Sequence, residues 1–479
     1  MTNKQGEKRK KRVLVVGAGV AGEMVVAEIL NHPEINQEIV GLVDDDLKKL
    51  GKIVYGKVVL GTSDDIHKIC LEEKVEEILM AIPSAKGKTI RKIIEKCKKT
   101  KVDFKIVPGI YEIITGDVYI NQIREVLPAD LLGRETVKIN FNEILPFLEN
   151  KRILVTGGAG SIGGELCKQI ARFNIERLII LDNNENNLYF KEIDLLKDNP
   201  HLNLETIIVN IREYQKIEKI FQKFLPHLIF HAAAYKHVPL MERYPEEAVK
   251  NNILVTKNLM EVAHKYKAEK FILISTDKAV NPTSIMGATK RVAELLRQLF
   301  VKSETKFIVV RFGNVLGSDG SVVPLFKKQI LQGGPVTITH PEVKRYFMTI
   351  PEAVSLIIQA TFLGKGGEVF ALDMGEQIKI TDLAKELITL SGLIPQEDIE
   401  IKFIGLRPGE KLFEELLTEK ENLKVTKYEK IMIASPDKIK IEELKQSLAA
   451  LEKTSQKEDI IKIFKEILPN YSPSNNQQF

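Results

Sequence analysis

Residues 153–163 read Ile-Leu-Val-Thr-Gly-Gly-Ala-Gly-Ser-Ile-Gly, a short apolar run that leads straight into a glycine-rich turn. The pattern predicts a strand followed by a helix that begins near Ser161. Gly157 would let the chain turn tightly, Gly160 would let the backbone approach a phosphate, and Gly163 would let the helix pack against the strand. Because a helix N-terminus presents free N–H groups, this stretch predicts a dinucleotide-binding turn.

The next predicted strand, Leu178–Leu181, ends in Asp182. A carboxylate there suits the two hydroxyls of an adenosine ribose and would repel a 2′-phosphate, so the sequence favours NAD over NADP. A glycine-rich turn without a ligand is the alternative, although strand, glycines, helix and acid follow one another in the expected order. Further cofactor-binding candidates lie in this turn and after the following strands: Thr156, Ile162, Asn210, Ile211, Ala232, Ala233 and Ala234.

The composition is that of a soluble globular protein. The chain has 479 residues, of which 44% are hydrophobic and 28% charged, with a formal net charge of +5. This length exceeds one ordinary hydrophobic core, and so small a charge gives no reason to expect a nucleic-acid partner. No apolar run approaches the roughly 20 residues of a membrane helix. No signal peptide opens the chain, so we expect a cytoplasmic protein.

The three cysteines, Cys70, Cys97 and Cys167, each fall in a predicted helix and are unpaired in spacing. Reduced thiols in the core are the simplest interpretation, and no metal site is expected.

Residues 1–12 form a basic tail in which Glu7 is the only acid. A solvated tail is one interpretation. The other is weak contact with an anionic membrane surface, at about 1 kcal/mol per basic residue.

Residues 13–127 predict a first Rossmann-like domain, because short apolar strands alternate with helices. Gly17, Gly19 and Gly22 match the spacing of a dinucleotide fingerprint, and Asp44 follows a later strand. Nucleotide binding and a purely structural unit both remain open here. The predicted elements are strands at Arg12–Val16, Ile39–Val43, Glu77–Ile82 and Phe104–Val107, with helices ending at Leu30, beginning at Ser63 and spanning Lys88–Lys99.

A linker at 128–150 leads to a second Rossmann-like domain at 151–460. Beyond Phe312 the pattern changes to loops and short helices, which predicts a smaller substrate-binding lobe over the carboxyl ends of the strands. Residues 461–479 are predicted to hold the end of a helix and a frayed tail from Ser472. The predicted strands of this second doubly wound parallel sheet are Arg152–Thr156, Arg177–Leu181, Leu204–Val209, His227–His231, Lys270–Ser275 and Phe307–Phe312.

The fourth of these strands is followed by Ala-Ala-Ala-Tyr-Lys-His at 232–237. Small residues at a strand end would let a cofactor lie against the backbone, and Lys236 and His237 would then face the substrate. An ordinary loop histidine is the alternative for His237.

Reactive residues follow the fifth strand. Thr276, Asp277 and Lys278 stand at its end, and a carboxylic acid beside an amine suits elimination of water, one group protonating a leaving hydroxyl and the other removing a carbon-bound proton. As a base, Lys278 would need a lowered pKa. Burial and Lys290 would lower that pKa and Asp277 would raise it, so the sequence leaves the balance open. A surface Asp–Lys pair is the alternative.

The helix after this turn carries Lys290 but places Met286 four residues earlier. Short-chain dehydrogenases normally hold a tyrosine there, on the same helix face as the lysine. A thioether cannot take a proton, so an enzyme that relies on that tyrosine is disfavoured.

Several stretches together resemble the nucleotide-sugar 4,6-dehydratases of capsule, O-antigen and glycan synthesis, which are extended short-chain dehydrogenases. The resemblance covers residues 13–460. The matching stretches are His-Ala-Ala-Ala-Tyr-Lys-His-Val-Pro-Leu-Met-Glu at 231–242, Ser-Thr-Asp-Lys-Ala-Val-Asn-Pro-Thr at 275–283, Met-Gly-Ala-Thr-Lys-Arg at 286–291, Val-Arg-Phe-Gly-Asn-Val-Leu-Gly-Ser at 310–318 and Arg-Pro-Gly-Glu-Lys at 407–411.

The resemblance implies a UDP-N-acetylglucosamine 4,6-dehydratase that recycles NAD internally and yields a 4-keto-6-deoxy sugar. It implies Asp277 as the acid at the C6 hydroxyl, Lys278 as the base at C5 and Thr276 as a partner of the C4 hydroxyl. Lys290 would hold the nicotinamide ribose. We also expect a homo-oligomer. The implied substrate-binding residues are Lys236, His237, Asn314, Arg345, Arg407 and Glu410.

Methionine in place of tyrosine resembles the long, C5-retaining subgroup. Members of that subgroup usually begin with membrane helices, so the chain resembles a soluble relative or the cytosolic part of one. Asn210 departs from the acidic residue that often meets adenine in the family.

Two other functions compete with this interpretation. A UDP-sugar 4-epimerase would share fold, cofactor and substrate class, but epimerases need no Asp–Lys elimination pair and usually keep the tyrosine. A non-catalytic NAD-binding or scaffold protein is the other, and the first domain alone would fit it.

Overall fold

The computed structural model describes residues 9–83, 85, 87–107, 141–416, 423–434 and 439–474. The chain divides into two compact units, Met1–Lys138 and Ile139–Phe479, and each is described by itself.

The first unit is built on a six-stranded sheet in the order β3-β4-β2-β1-β5-β6. All neighbours pair in parallel except β3 and β4, which form an antiparallel hairpin that the sequence pattern did not predict. The strands are β1 (Lys11–Val16), β2 (Gln37–Val43), β3 (Ile53–Val54), β4 (Lys57–Gly61), β5 (Glu77–Met80) and β6 (Asp103–Ile106). The helices are α1 (Val20–Asn31), α2 (Ile66–Glu72) and α3 (Gly87–Lys99), with 3₁₀ turns at Pro33–Ile35, Leu47–Lys49 and Ser63–Asp65.

The basic tail is shorter than predicted. Lys11 and Arg12 open β1, where the Lys11 ammonium lies 2.9 Å from the Glu77 carboxylate and the Arg12 guanidinium lies 2.9 Å from Glu73. Both charges are therefore paired with acids of the first unit. Residues 1–8 of the predicted tail lie outside the described residues.

The second unit is built on a nine-stranded sheet in the order β20-β21-β17-β12-β11-β10-β7-β8-β9. Its neighbours pair in parallel from β17 to β9, and β20 and β21 add an antiparallel edge. The strands of this sheet are β7 (Arg152–Thr156), β8 (Arg177–Asp182), β9 (Leu204–Ile208), β10 (Leu228–His231), β11 (Lys270–Thr276), β12 (Lys306–Phe312), β17 (Val369–Leu372), β20 (Leu423–Val425) and β21 (Ile431–Ala434).

Short strands and helices complete this unit. After Phe312 the chain adds a small lobe with short strands, as the change of sequence pattern there predicted. The lobe contains three two-stranded ladders: β13 (Asn314–Val315) with β16 (Phe347–Met348), β14 (Val336–Ile338) with β19 (Ile401–Phe403), and β15 (Lys344–Arg345) with β18 (Ile378–Lys379). The helices are α4 (Phe141–Leu148), α5 (Ser161–Ile170), α6 (Glu185–Asp198), α7 (Tyr214–Phe224), α8 (Val238–Arg243), α9 (Pro245–Ala248), α10 (Val255–Lys265), α11 (Ile285–Leu295), α12 (Val322–Leu331), α13 (Ile350–Leu363), α14 (Ile380–Leu390), α15 (Ile441–Lys453) and α16 (Lys457–Ile467). A π-helical segment at Val249–Leu254 joins α9 to α10, and 3₁₀ turns lie at Asp277–Ala279 and Leu296–Phe300.

Two segments are more ordered than the sequence predicted. The second half of the predicted linker is helix α4, because Ile144 and Leu148 lie one turn apart and are both fully buried. The predicted frayed tail is held at its start, since Ser472 donates its N–H to Pro282 O and Ser474 donates its N–H to Thr283 O. Residues 128–140 and 475–479 lie outside the described residues.

The fold places the carboxyl ends of β7, β10 and β11 side by side. The strand order runs from β7 through β8 to β9 on one side and from β10 through β11 to β12 on the other. The order in which strands are added to the sheet therefore reverses between β7 and β10. Open parallel sheets bind ligands at this reversal, outside the carboxyl ends of the strands.

Candidate active site

The glycine-rich turn after β7 adopts the close-packed form that its sequence predicted. Gly157 has φ +67°, and a methyl group on it would lie 2.8 Å from the Ala233 backbone. A methyl group on Gly163 would lie 2.1 Å from the carbonyl oxygen of Gly157. Helix α5 begins directly after Gly160, which has no side chain to cap the free N–H groups. The turn therefore leaves a helix N-terminus open to an anion.

Asp182 anchors this turn from the end of β8. Its carboxylate accepts hydrogen bonds from the N–H of Ala159 at 3.0 Å and from the N–H of Asn184 at 2.9 Å. The acid thus lies beside the glycine turn, as its position after the second strand predicted.

A cavity of about 540 Å³ opens over these strand ends. Its volume is in the range of small-molecule sites, which is about 300–1,000 Å³. Eight predicted cofactor residues line it: Gly157, Gly160, Ser161, Ile162, Gly163, Ala232, Ala234 and Lys290. The other predicted cofactor residues, which the structure also describes, are not part of its wall: Thr156, Asp182, Asn210, Ile211 and Ala233.

Those residues have local contacts instead. Thr156 is buried, with its hydroxyl 2.8 Å from Nδ1 of His231. The side-chain oxygen of Asn210 accepts the N–H of Arg212 at 3.0 Å, and Ile211 packs against the main hydrophobic core. Burial, with a contribution from Lys290, lowers the pKa of His231 to about 3, so this imidazole is neutral beneath the site.

The predicted elimination pair lies at the end of β11. The Thr276 hydroxyl donates to Asp277 Oδ1 at 2.8 Å, and the Lys278 ammonium donates to the same oxygen at 2.9 Å. Lys278 also donates to the side-chain oxygen of Asn314 at 3.0 Å. Thr276 and Lys278 line the cavity, whereas Asp277 is fully buried below them.

The structure resolves the balance that the sequence left open for Lys278. Burial lowers the pKa of this ammonium, but the carboxylates of Asp277 and Glu414 raise it more, with Arg345 opposing them. The net pKa of Lys278 is raised, so the resting side chain is an ammonium.

Helix α11 lies directly on this turn. A methyl group on Gly287 would be 2.3 Å from the carbonyl oxygen of Lys278, so only glycine allows this close approach. The side chain of Ser284 caps the helix by accepting the N–H of Gly287 at 3.0 Å. Met286 and Lys290 then both line the cavity from one face of the helix, as their four-residue spacing predicted.

The two cavity-lining side chains of α11 differ in character. The Lys290 ammonium donates to the Ile274 carbonyl at 2.7 Å, and burial lowers its pKa to about 8. Met286 is 3% exposed and packs into the main hydrophobic core.

A second cavity of about 200 Å³ adjoins the first and is strongly basic. Six residues line both cavities: Lys236, His237, Lys278, Arg345, Arg407 and Glu410. All of them except Lys278 are predicted substrate-binding residues. Asn314, the remaining one, lines the larger cavity only. Burial lowers the pKa of both Lys236 and His237.

Arg345 and Glu410 fix the lobe around this basic pocket. The Arg345 guanidinium donates to the carbonyl oxygen of Lys411 at 2.7 Å and lies 3.3 Å from the Glu410 carboxylate. Glu410 also accepts the Thr339 hydroxyl at 2.8 Å and the N–H of Arg407 at 3.1 Å. The loop at 407–411 is therefore a rigid support for its two cationic side chains.

The C-terminal segment holds this loop in place. The Ser474 hydroxyl accepts the N–H of Gly409 at 2.8 Å, and the Thr283 hydroxyl donates to the Gly409 carbonyl at 3.2 Å. The sequence pattern gave no sign of this contact, since Ser474 belongs to a polar run that was predicted to fray.

Sequence reasoning missed two further acids of the site. Asp319, on the wall of the larger cavity, accepts the Ser161 hydroxyl at 3.0 Å beside the start of α5. Glu414, on the wall of the smaller cavity, lies 3.7 Å from the Lys278 ammonium. Glu414 lies three residues after the recognised stretch at 407–411, but no spacing rule connects it to Lys278.

The described part of the chain has neither a membrane-spanning helix nor a cluster of metal ligands. None of its helices combines the length and apolar character needed to cross a bilayer. No three of its His, Cys, Asp and Glu side chains gather as metal ligands would, and Cys70, Cys97 and Cys167 are buried free thiols.

The sequence of this chain matches two protein families. A family described as polysaccharide biosynthesis protein matches residues 153–436, and one described as CoA-binding domain matches residues 2–108. The capsular polysaccharide biosynthesis protein CapD of Staphylococcus aureus is 44% identical over 458 residues, which cover 95% of this chain and 76% of CapD.

Two more similar proteins each match more than half of this chain. A UDP-glucose 4-epimerase of Rickettsia canadensis is 35% identical over 285 residues, covering 57% of this chain and 80% of that protein. The X-ray structure of Pen from Bacillus thuringiensis superposes with a TM-score of 0.56 at 35% identity, covering 60% of this chain and 88% of Pen. With a family match across more than half of its length and a relative that spans nearly all of it, the chain belongs to the polysaccharide biosynthesis protein family.

Proposed function

We propose that this protein is an NAD-dependent UDP-N-acetylglucosamine 4,6-dehydratase that makes a 4-keto-6-deoxy sugar nucleotide for surface polysaccharide synthesis. The observation that carries the proposal is the Asp277–Lys278 pair at the end of β11, with its 2.9 Å contact. An acid and an amine at one strand end, beside a cavity of cofactor size, suit elimination of water next to a ketone.

The residues around the glycine turn fit a dinucleotide. Gly157 and Gly163 occupy positions that a methyl group would overfill, and the N-terminus of α5 faces the cavity at Gly160 and Ser161. When bound, NAD would remove a hydride from C4 of the sugar and return it at C6, so no net reduced cofactor would form. Lys290, which lines the cavity, would hold the nicotinamide ribose.

The chain's own residues would carry the proton transfers. Thr276 would hold the C4 hydroxyl, Lys278 would take the C5 proton, and Asp277 would protonate the departing C6 hydroxyl. Arg345 and Arg407 line the basic pocket, where guanidinium forks suit a diphosphate.

A UDP-sugar 4-epimerase is the second candidate, because the Rickettsia canadensis relative bears that name at 35% identity. Met286 argues against it, since a buried thioether on the cavity wall cannot exchange a proton with a sugar hydroxyl.

One incubation distinguishes the two candidates. Purified protein with UDP-N-acetylglucosamine and a trace of NAD should give a product lighter by the mass of one water, read by mass spectrometry. The absorbance of reduced nicotinamide should stay flat during turnover. A product of unchanged mass with altered sugar configuration would establish the epimerase, and one reduced cofactor per product would contradict the internal cycle.

Cofactor choice gives a further prediction. Asp182 already accepts two backbone N–H groups, so it is fixed in place to meet a 2′-phosphate as a like charge. Like charges in contact cost several kcal/mol, so stripped protein should bind NAD at least about 100-fold more tightly than NADP.

When Asp182→Asn is titrated with both nucleotides, its preference for NAD over NADP should be smaller than that of the unmodified protein. Asp194→Asn, which changes an exposed acid on α6, should leave it unchanged. Tighter binding of NADP by the unmodified protein would refute the assignment.

A further inference from the structure

Glu414 is a buried acid with no role in the mechanism above. Its side chain is 4% exposed, and Oε1 lies 3.7 Å from the Lys278 ammonium and 3.7 Å from Arg345 Nε. Its other oxygen, Oε2, has no hydrogen-bond partner among the described residues. The backbone is fixed at this point, because the Gln377 side chain donates to the Glu414 carbonyl at 2.7 Å.

Among the described residues, four groups face the Lys278 ammonium. Asp277 accepts from it at 2.9 Å and Asn314 at 3.0 Å, while Glu414 adds a second negative charge and Arg345 adds a positive one. A buried carboxylate is tolerated when cations compensate its charge, and Glu414 has two cations within 4 Å. Because Glu414 belongs to the lobe and Lys278 to the turn at the end of β11, their contact connects the lobe to that turn.

We propose that Glu414 is a positioning residue that holds the Lys278 ammonium against Asp277 and fixes the number of protons that this pair carries. The proposal rests on the proposed function for its catalytic meaning. Elimination needs Lys278 as a free amine and Asp277 as a carboxylic acid. Moving one proton from Lys278 Nζ to Asp277 Oδ1 breaks one N–H bond, forms one O–H bond and produces both forms without an outside acid or base.

The charge of Glu414 then has a definite effect. It stabilises the ammonium, so the pair keeps its shared proton until the pH is well into the alkaline range. Without that charge the pair would lose the proton at lower pH, and Asp277 would have none to give to the leaving hydroxyl.

Competitive labelling tests this without turnover. The full-length protein is treated with trace acetic anhydride across a pH series, and the labelling of Lys278 is compared by mass spectrometry with that of the exposed Lys453. Because an opposite charge at this range shifts a titration by about 1–3 pH units, Glu414→Gln should lower the Lys278 midpoint by about that amount.

Two further variants separate charge from structure. Glu415→Gln changes the next residue, an exposed acid paired with Lys411, and should leave the Lys278 midpoint unchanged. Glu414→Asp keeps the charge and should keep the midpoint close to that of the unmodified protein. Equal midpoints in Glu414→Gln and Glu415→Gln would overturn the proposal, as would a Glu414→Asp midpoint as low as that of Glu414→Gln.

Kinetics supply the second readout. With UDP-N-acetylglucosamine, Glu414→Gln should move the alkaline limb of the kcat profile to lower pH, with little change in KM. An unmoved limb would overturn the role in proton count. If UDP-N-acetylglucosamine is not the substrate, no variant turns it over, but the labelling result still decides the contact between Glu414 and Lys278.

Discussion

Replacing Asp277 by asparagine should slow the loss of water from the sugar by about 10²–10⁴-fold, the range for removal of a general acid. An amide has nearly the shape of the carboxylic acid but cannot protonate a leaving hydroxyl. Because the proton is donated in the transition state rather than on binding, substrate affinity should change little and the loss should appear in kcat.

Mass spectrometry of the sugar nucleotide gives this rate directly. Asp198→Asn, at the exposed end of α6, is the matched control and should keep full activity. Thermal melting of both variants guards against a folding defect, because Asp277 accepts hydrogen bonds from Thr276 and Lys278. A folded Asp277→Asn enzyme with a near-normal rate would remove Asp277 from the mechanism.

The parallel sheets were predictable because their signals are local. Each central strand is a short apolar run bounded by turn residues, and the glycines at 157 and 163 mark a turn where the backbone packs closely. One edge of each sheet was not predictable. Strands β3, β17, β20 and β21 are two to four residues long, and their pairing depends on neighbours distant in the sequence.

The residues of the candidate site also divide into those whose proximity was predictable and those whose proximity was not. Asp277, Lys278, Met286 and Lys290 follow one strand in the sequence, so their proximity followed from strand-end and helix geometry. Glu414 reaches Lys278 only through the fold of the lobe. That contact contributes, after Asp277, to the raised pKa of Lys278, and the sequence could not reveal it.

Replacing Lys278 by methionine should abolish exchange of the C5 hydrogen with deuterated solvent, a loss of about 10²–10⁴-fold. The hydrogen at C5 becomes acidic once C4 is a ketone, and the Lys278 amine lines the cavity where the sugar would lie. Methionine fills a similar volume but offers no group that takes a proton. Deuterium incorporation into substrate and product, read by mass spectrometry, measures this step apart from water loss.

Met286→Leu is the control for this loop. The change is nearly volume-conserving in a packed position, so it should keep much of the activity. Melting curves matter for Lys278→Met as well, because the variant leaves the carboxylates of Asp277 and Glu414 without their shared cation. An inactive Met286→Leu together with continuing exchange in Lys278→Met would reverse the assigned roles.

His237 would then be the next candidate for the base, and pH distinguishes the two. Burial lowers the pKa of His237, so its imidazole is neutral at pH 7 and would lose base function only as the pH falls through that lowered value. The pKa of Lys278 is raised, so its free amine becomes the major form only as the pH rises through the alkaline range. Exchange that climbs with alkaline pH in the unmodified enzyme, and is lost in Lys278→Met, identifies the lysine; exchange already at its plateau at pH 7 and lost in His237→Gln identifies the histidine.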